Sequence, residues 1–219
     1  MSVLVIDTAL GACSVGLFDE TRRLAGESLP MAKGHSERLG GLARDVLARQ
    51  DRSAIARVGV TVGPGSFTGL RVGLAFALGL GEALNRPVIG LWTLQALAHS
   101  IDRAGPVITA IDARRGQVYL QRFEDGAPVN PPQALSVAEA SELASSTPTA
   151  RLVGSGAPLI AAGQTDRIFD LAAPTLEALA ALTLSADPET APPRPLYLRA
   201  PDATPSTRLP GQARTATVS

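Results

Sequence analysis

Two aspartates end apolar runs at matching points of the sequence. Asp7-Thr8 follows Val3-Leu4-Val5-Ile6, and Asp112 follows Val107 to Ile111. Carboxylates at strand ends that face each other across a cleft commonly hold magnesium or orient a nucleophilic water. Thr8, Gly11 and Ser14 lie close enough in sequence to touch a phosphate. The competing reading is that both aspartates only shape turns. A second candidate is Gly63-Pro64-Gly65-Ser66-Phe67-Thr68-Gly69-Leu70-Arg71, a glycine-rich turn between a strand pattern and a helix pattern. Such a turn presents free backbone N–H groups to an anion. A nucleotide P-loop needs Lys and then Ser or Thr after its last glycine. Here Gly69 is followed by Leu70 and Arg71, so that reading fails, and the dinucleotide glycine spacing is absent too. A tight strand-to-helix turn and an anion site both remain open.

Other chemistry is sparse. His35 and His99 are the two histidines, without metal-ligand spacing and without a Cys/His cluster, which speaks against a zinc or iron site. His35 reads as a cap or surface residue, and His99 with Asp102 as a surface pair. Cys13 sits in an apolar stretch and reads as a small buried hydrophobe; a lone cysteine suits a reducing compartment. No GxSxG nucleophile elbow and no acid pair for glycoside chemistry stands out. Aromatic residues make up 4% of the chain, too few for a base-stacking platform.

The elements that would hold these residues follow from hydrophobic period. Val3 to Ile6, Ala12 to Phe18 and Arg22 to Ser28 read as strands joined by short turns, an antiparallel meander. Leu39, Leu42, Val46 and Leu47 fall on one face of a helix over Ser36 to Gln50, with Ser36 as N-cap. Val58 to Val62 is a strand, Thr68 to Asn85 a helix, Val88-Ile89 a short strand and Thr93 to His99 a short helix. Val107 to Ile111 and Gln117 to Phe123 then repeat the strand–Asp–turn–strand opening of the chain, a weak internal duplication. Ser136 to Ala144 and Leu176 to Ser185 read as helices, and little order is expected from Pro201 onward.

The second helix is apolar nearly all round, with only Arg71 and Glu82 charged, so it must be covered on every side. Gly69, Gly73 and Ala77 recur every fourth residue, a stripe that lets another element approach closely. Interior glycines cost about 1 kcal/mol each relative to alanine, so Gly73, Gly79 and Gly81 need a packing reason. The chain's own sheet supplies one reading, and a subunit interface shared with the first helix the other.

Composition bounds the function. Twenty Lys and Arg balance twenty Asp and Glu over 219 residues. A stand-alone RNA-binding protein usually carries a basic excess, so another subunit is expected to hold most of any RNA. The first residues lack the basic and small-residue pattern of a signal peptide, and the apolar stretch Val72 to Leu80 is about half a membrane span. The expectation is a soluble cytoplasmic protein.

Five landmarks, in order along the chain, resemble the TsaB (YeaZ) family. They are Ile6-Asp7-Thr8-Ala9 with Ala12-Cys13-Ser14-Val15; His35-Ser36-Glu37-Arg38-Leu39; Gly63 to Arg71 with Gly73; Asp112-Ala113-Arg114-Arg115-Gly116-Gln117-Val118-Tyr119; and Pro195-Leu196-Tyr197-Leu198-Arg199. The resemblance implies an α/β, actin-like/ASKHA (ribonuclease H-like) fold of two duplicated lobes. Lobes are expected over 1–103 and 104–200, the end of the second returning to the first, with a flexible tail over 201–219.

It also implies a non-catalytic scaffold that activates the catalytic paralogue TsaD and recruits the ATPase TsaE. Together they transfer threonylcarbamoyl to N6 of the adenosine beside the anticodon in tRNAs reading codons that begin with A. Contact with TsaD would run through the first two helices, and the residues assigned to it are Leu39, Leu42, Val46, Leu70, Gly73, Leu74 and Ala77. The same helices are expected to form a homodimer when the chain is alone, with tRNA reached only through the complex and no membrane partner. The paralogue's metal-binding histidine pair, carried over by spacing, falls on Thr93 and Leu97, which are not metal ligands. Asp7, Thr8 and Asp112 then stand as a relic of a nucleotide site, with no metal or cofactor of this chain's own and ATP expected, if anywhere, at the assembled complex. The alternatives are an ATP-binding, kinase-like enzyme of the actin/hexokinase superfamily and, less favoured, a metallopeptidase.

Overall fold

The computed structural model describes residues 1–20 and 22–199; the expected tail over 201–219 lies outside them. The first lobe runs β1 (Ser2–Asp7), β2 (Ala12–Phe18), β3 (Arg23–Pro30), α1 (His35–Leu47), β4 (Ile55–Gly63), α2 (Phe67–Leu84), β5 (Val88–Trp92) and α3 (Thr93–Ala98). The second runs β6 (Pro106–Arg114), β7 (Gln117–Glu124), β8 (Ala127–Pro128), β9 (Gln133–Ser136), α4 (Val137–Ser145), β10 (Arg151–Val153), α5 (Ala157–Ile160) and β11 (Ile168–Phe169), followed by α6 (Leu176–Ser185).

The strand order of the first sheet is β3-β2-β1-β4-β5, with β1, β2 and β3 antiparallel and β1, β4 and β5 parallel. The second sheet has order β11-β10-β6-β7-β8, with β9 also on β7. There β6 pairs antiparallel with β7 and parallel with β10, which in turn pairs parallel with β11. The two sheets therefore repeat one topology, the ribonuclease H-like order of the actin-like fold.

β1 and β2 read as continuous apolar runs because both faces of the first sheet are covered. On one face, Leu4, Ile6, Val58 and Val60 pack with Leu39, Leu42 and Val46 of α1 and with Ala77 of α2. On the other, Val3 and Val5 meet Leu176, Leu179 and Leu182 of α6. Gly59 of β4 makes that approach possible, since a methyl there would collide with Thr183. α3 lies between the lobes, its Leu94 and Leu97 packed on Val107, Ile111 and Phe123 of the second sheet. α4 and α5 cover that sheet's far face through Ala140, Ala144, Ala157 and Ile160.

Two local expectations differ. Helix α1 begins at His35, and its N-cap is Gly34 in the left-handed region (φ 88°), not Ser36, whose hydroxyl instead donates to Glu37. His35 is buried by the fold rather than exposed, and its Nε2 finds no partner. The short β8 to β11 and α5 carry too few residues for a readable period.

Candidate functional site

The end of β1 is closed on itself. Asp7 is fully buried; its Oδ1 accepts hydrogen bonds from Ala9 N–H (3.0 Å) and the Thr61 hydroxyl (2.6 Å), and its Oδ2 has no partner. Burial pushes its pKa up, against the lowering effect of Thr61, Ala9 and His35. Thr8 donates its hydroxyl to the Gly69 carbonyl at 2.7 Å. The loop after it spends its N–H groups within the chain: Gly11 donates to the Ala172 carbonyl (3.1 Å), and Ser66 of the Gly63–Gly65 turn donates to the Ala9 carbonyl (2.8 Å). An anion arriving here would displace bonds the fold already makes. Of the two readings of this turn, the tight strand-to-helix connection is the better supported. Its helix is capped by Ser66, which accepts from Gly69 N–H at 3.3 Å.

Asp112 lies elsewhere. It lines an interlobe cleft of about 480 Å³ together with Gly11, Gly65, Ser66, Arg114 and Ser155, a lining that does not include Asp7. Its Oδ1 accepts from Arg114 N–H at 2.8 Å, and its Oδ2 lies 3.2 Å from the Arg114 guanidinium. The two aspartates are therefore not a facing pair, because the fold seals Asp7 where the end of β1 meets the start of α2 while Asp112 stays on the cleft. Arg114, Arg115 and Gly116 are three successive residues at positive φ (62°, 54° and 72°), with Arg115-Gly116 the two-residue loop between paired Arg114 and Gln117. The left-handed region costs a residue with a Cβ about 1–2 kcal/mol. The strain at this tip was not visible in the sequence pattern.

Helices α1 and α2 do not present the faces assigned to a partner. Leu39, Leu42, Val46, Leu70, Gly73 and Ala77 are all buried against the chain's own sheet, and of the seven assigned residues Leu74 alone stays partly open. The reason is the small-residue stripe: a methyl at Gly69 or Gly73 would collide with Thr8, and one at Gly81 with Val88. The stripe docks α2 on β1, β4 and β5. The outward face of α2 is nonetheless apolar. Phe67 is 49% and Leu78 44% exposed, with Val72, Phe76 and Leu80 partly covered. By length and mean hydropathy (1.3) α2 is the one helix among the described residues that could cross a membrane, yet one of its faces is already packed on a sheet. Gly40 and Gly41 of α1 and Gly79 of α2 have nothing within 4 Å of where a Cβ would stand.

Thr93 and Leu97 are wholly buried between the lobes, Thr93 with its hydroxyl unpartnered. Among the described residues no cluster of three or more His, Cys, Asp or Glu has metal-binding geometry. His99 Nδ1 donates to the Gln95 carbonyl (3.0 Å), while Asp102 takes the Ala104 N–H and lies 3.9 Å from Arg151, so the expected His99–Asp102 pair is not formed. Cys13 is buried among apolar side chains.

The last described segment ties these parts together. Leu196 N–H donates to the Val62 carbonyl (2.7 Å), and the Tyr197 ring lies 5.6 Å from that of Phe67, over which the Arg71 guanidinium stacks at 3.7 Å. Arg199 donates to Gln117 Oε1 (2.9 Å) and to the Arg114 carbonyl (3.3 Å).

A family model described as "TsaD: tRNA N6-adenosine threonylcarbamoyltransferase" matches residues 30–180. An uncharacterised protein of Mycobacterium tuberculosis is 36% identical over 214 residues, 93% of this chain and 94% of that one. The Escherichia coli tRNA threonylcarbamoyladenosine biosynthesis protein TsaB is 40% identical over 135 residues, 58% of each chain, and its Bacillus subtilis namesake 32% identical over 131 residues, 58% of this chain and 57% of that one. Among solved structures, YeaZ from Pseudomonas aeruginosa superposes with a TM-score of 0.73 at 27% identity, covering 90% of this chain and 99% of that one.

Proposed function

The chain belongs to the TsaB (YeaZ) family, and from that premise we propose that it serves tRNA threonylcarbamoyladenosine biosynthesis as a non-catalytic subunit that docks and activates TsaD through the outward faces of α1 and α2. The observation that carries the docking claim is the open surface of these helices. Gly40, Gly41 and Gly79 have no neighbour inside the chain to explain them, and Gly79 adjoins Leu78, which with Phe67 forms an exposed apolar stripe on α2. Helical glycine without an internal reason suits a partner helix that must come close. An apolar patch of this kind on a soluble protein marks an interaction surface. The same faces would pair two copies of this chain when TsaD is absent, and TsaE would join the TsaD-bound form, in the cytoplasm.

The non-catalytic part rests on the ends of β1 and β5. Asp7 is sealed, the N–H groups of Ala9, Gly11 and Ser66 already have acceptors, and Thr93 and Leu97 offer no metal ligands. These features weigh against the kinase-like and metallopeptidase readings.

Light scattering coupled to size exclusion, on the chain alone and mixed with its organism's TsaD, with and without ATP, tests the proposal. A stoichiometric complex is expected, together with tRNA modification that needs both proteins. A chain that neither associates with TsaD nor raises its modification rate would defeat it.

A further inference from the structure

We infer that the Arg114–Arg115 tip of the β6–β7 hairpin, backed by Arg199, contacts phosphates of the tRNA substrate within the assembled complex; this rests on the tRNA-modifying role proposed above. The chain has no net charge, so RNA affinity from this subunit has to come from a local cluster. Here Arg114 and Arg199 meet on one hairpin, and Arg115 stands at its tip. The Arg114 side chain is 85% exposed and steadied by Asp112. Arg199 is held on the same hairpin by Gln117 and by the Arg114 carbonyl, its guanidinium 5.9 Å from the centre of the Tyr119 ring.

The backbone supplies the second argument. A hairpin loop with positive φ throughout is ordinarily filled by Asn-Gly or Asp-Gly. This tip puts arginine at φ 62° and again at φ 54°. The left-handed conformation gives no reason for arginine, so the reason lies in the side chains. Arginine forks fit phosphate and carboxylate alike. The phosphodiester is favoured because the tip, Asp112-Ala113-Arg114-Arg115-Gly116-Gln117, lacks the large apolar side chains that form the centre of a protein interface. Its location fits as well. Arg114 shares the cleft with Gly65 and Ser66 at the start of α2, and Arg199 is two residues from Tyr197, which packs on Phe67 of that helix. RNA gripped here would lie beside the helix proposed to dock TsaD.

The test is the double variant Arg114→Asn/Arg115→Asn, since asparagine tolerates the left-handed region and keeps the loop foldable. Unmodified tRNA transcript is titrated onto the complex of full-length chain and TsaD across roughly 50–200 mM salt, with complex assembly and Tm measured in parallel. The expected result is a tRNA Kd raised about tenfold or more and a log K against log salt slope shallower by about two, with assembly and Tm unchanged. Arg114→Lys/Arg115→Lys should retain most of the slope. An unchanged Kd and slope in a complex that still modifies tRNA overturns this inference alone. Lost assembly with normal tRNA binding by the remaining complex also overturns it, by assigning the arginines to a carboxylate on TsaD. A wild-type chain that forms no complex with TsaD defeats the proposed function and this inference with it.

Discussion

In the first lobe the helix between the parallel strands, α2, runs for 18 residues and follows a 9-residue strand; its counterpart in the second lobe, α5, has 4 residues and follows a strand of 3. Strand order and direction are the same in both. A sheet topology survives as long as its central ladder does, because β1 with β2 and β6 with β7 supply the hydrogen bonds and the alternation that fix register. The outer helices are under weaker constraint. Where α5 needs only to cover β6, α2 covers its sheet and still offers an apolar face outward. The aspartates of β1 and β6 diverge in the same sense, Asp7 sealed in and Asp112 open to the cleft. The difference separates a lobe with an apolar outer helix face from one with much shorter outer elements.

The largest effect should come from confusing the two faces of α2. Ala77 is fully buried on β4, while its neighbour Leu78 points outward. Ala77→Glu buries an unpaired charge and should cost about 3–5 kcal/mol, leaving little folded protein by thermal melting. Gly73→Leu should damage folding too, because no side chain fits against Thr8. An Ala77→Glu chain with wild-type Tm would mean that α2 is docked differently.

Leu78→Glu should leave Tm nearly unchanged and weaken association with TsaD by about 2 kcal/mol or more, roughly 30-fold. The matching change in the second lobe is Leu159→Glu on α5, also exposed. It should leave association intact. Equal losses from both variants would remove the distinction between the lobes.

The two aspartates give a smaller effect that depends on pH. The folded pKa of Asp7 is raised above its ordinary value of 3.8 by burial. Stability from this group is therefore complete below about pH 3.8 and is lost as pH rises through the folded pKa. Asp7→Asn keeps an acceptor for Ala9 and Thr61 but removes the buried charge. Its stability relative to wild type should rise across that interval, as followed by urea melts from acid to neutral pH. Asp7→Ala strands both donors and should cost about 1–3 kcal/mol. Asp112→Asn removes only an exposed ion pair with Arg114 and should cost under about 1 kcal/mol. A larger effect at Asp112 than at Asp7 would reverse the assignment of sealed and open ends.

How far the sequence could be read follows the same division. The first lobe's long elements repeat their period often enough to be legible, and the duplication showed because Asp7 and Asp112 follow the apolar runs of equivalent strands. β8 to β11 and α5 are too short to show a period, so four of the second sheet's six strands were invisible. The site was harder. An apolar helix with a small-residue stripe has a tight side and an exposed side, and period alone does not say which one meets a partner. The sequence-based assignment chose the tight side, which the chain itself occupies with Thr8 and Val88. At the hairpin tip Gly116 marked the turn, but left-handed backbone at Arg114 and Arg115 had no signal, since it is normally announced by Asn, Asp or Gly.

Gly79→Ala gives the smallest and most discriminating readout. Gly79 lies inside α2, where glycine costs about 1 kcal/mol relative to alanine, and a methyl there meets nothing within 4 Å. In the isolated chain at low concentration, where little dimer forms, Gly79→Ala should therefore raise stability by up to about 1 kcal/mol and raise Tm by a few degrees. If the glycine is there to let a partner helix close, the same methyl should weaken association with TsaD. Gly40→Ala on α1 should behave alike. The opposite signs carry the argument, because a glycine kept only for internal reasons would lose stability on gaining a methyl. A variant more stable alone and equally well bound would free Gly79 from any part in docking and narrow the interface to the Phe67–Leu78 side of the helix.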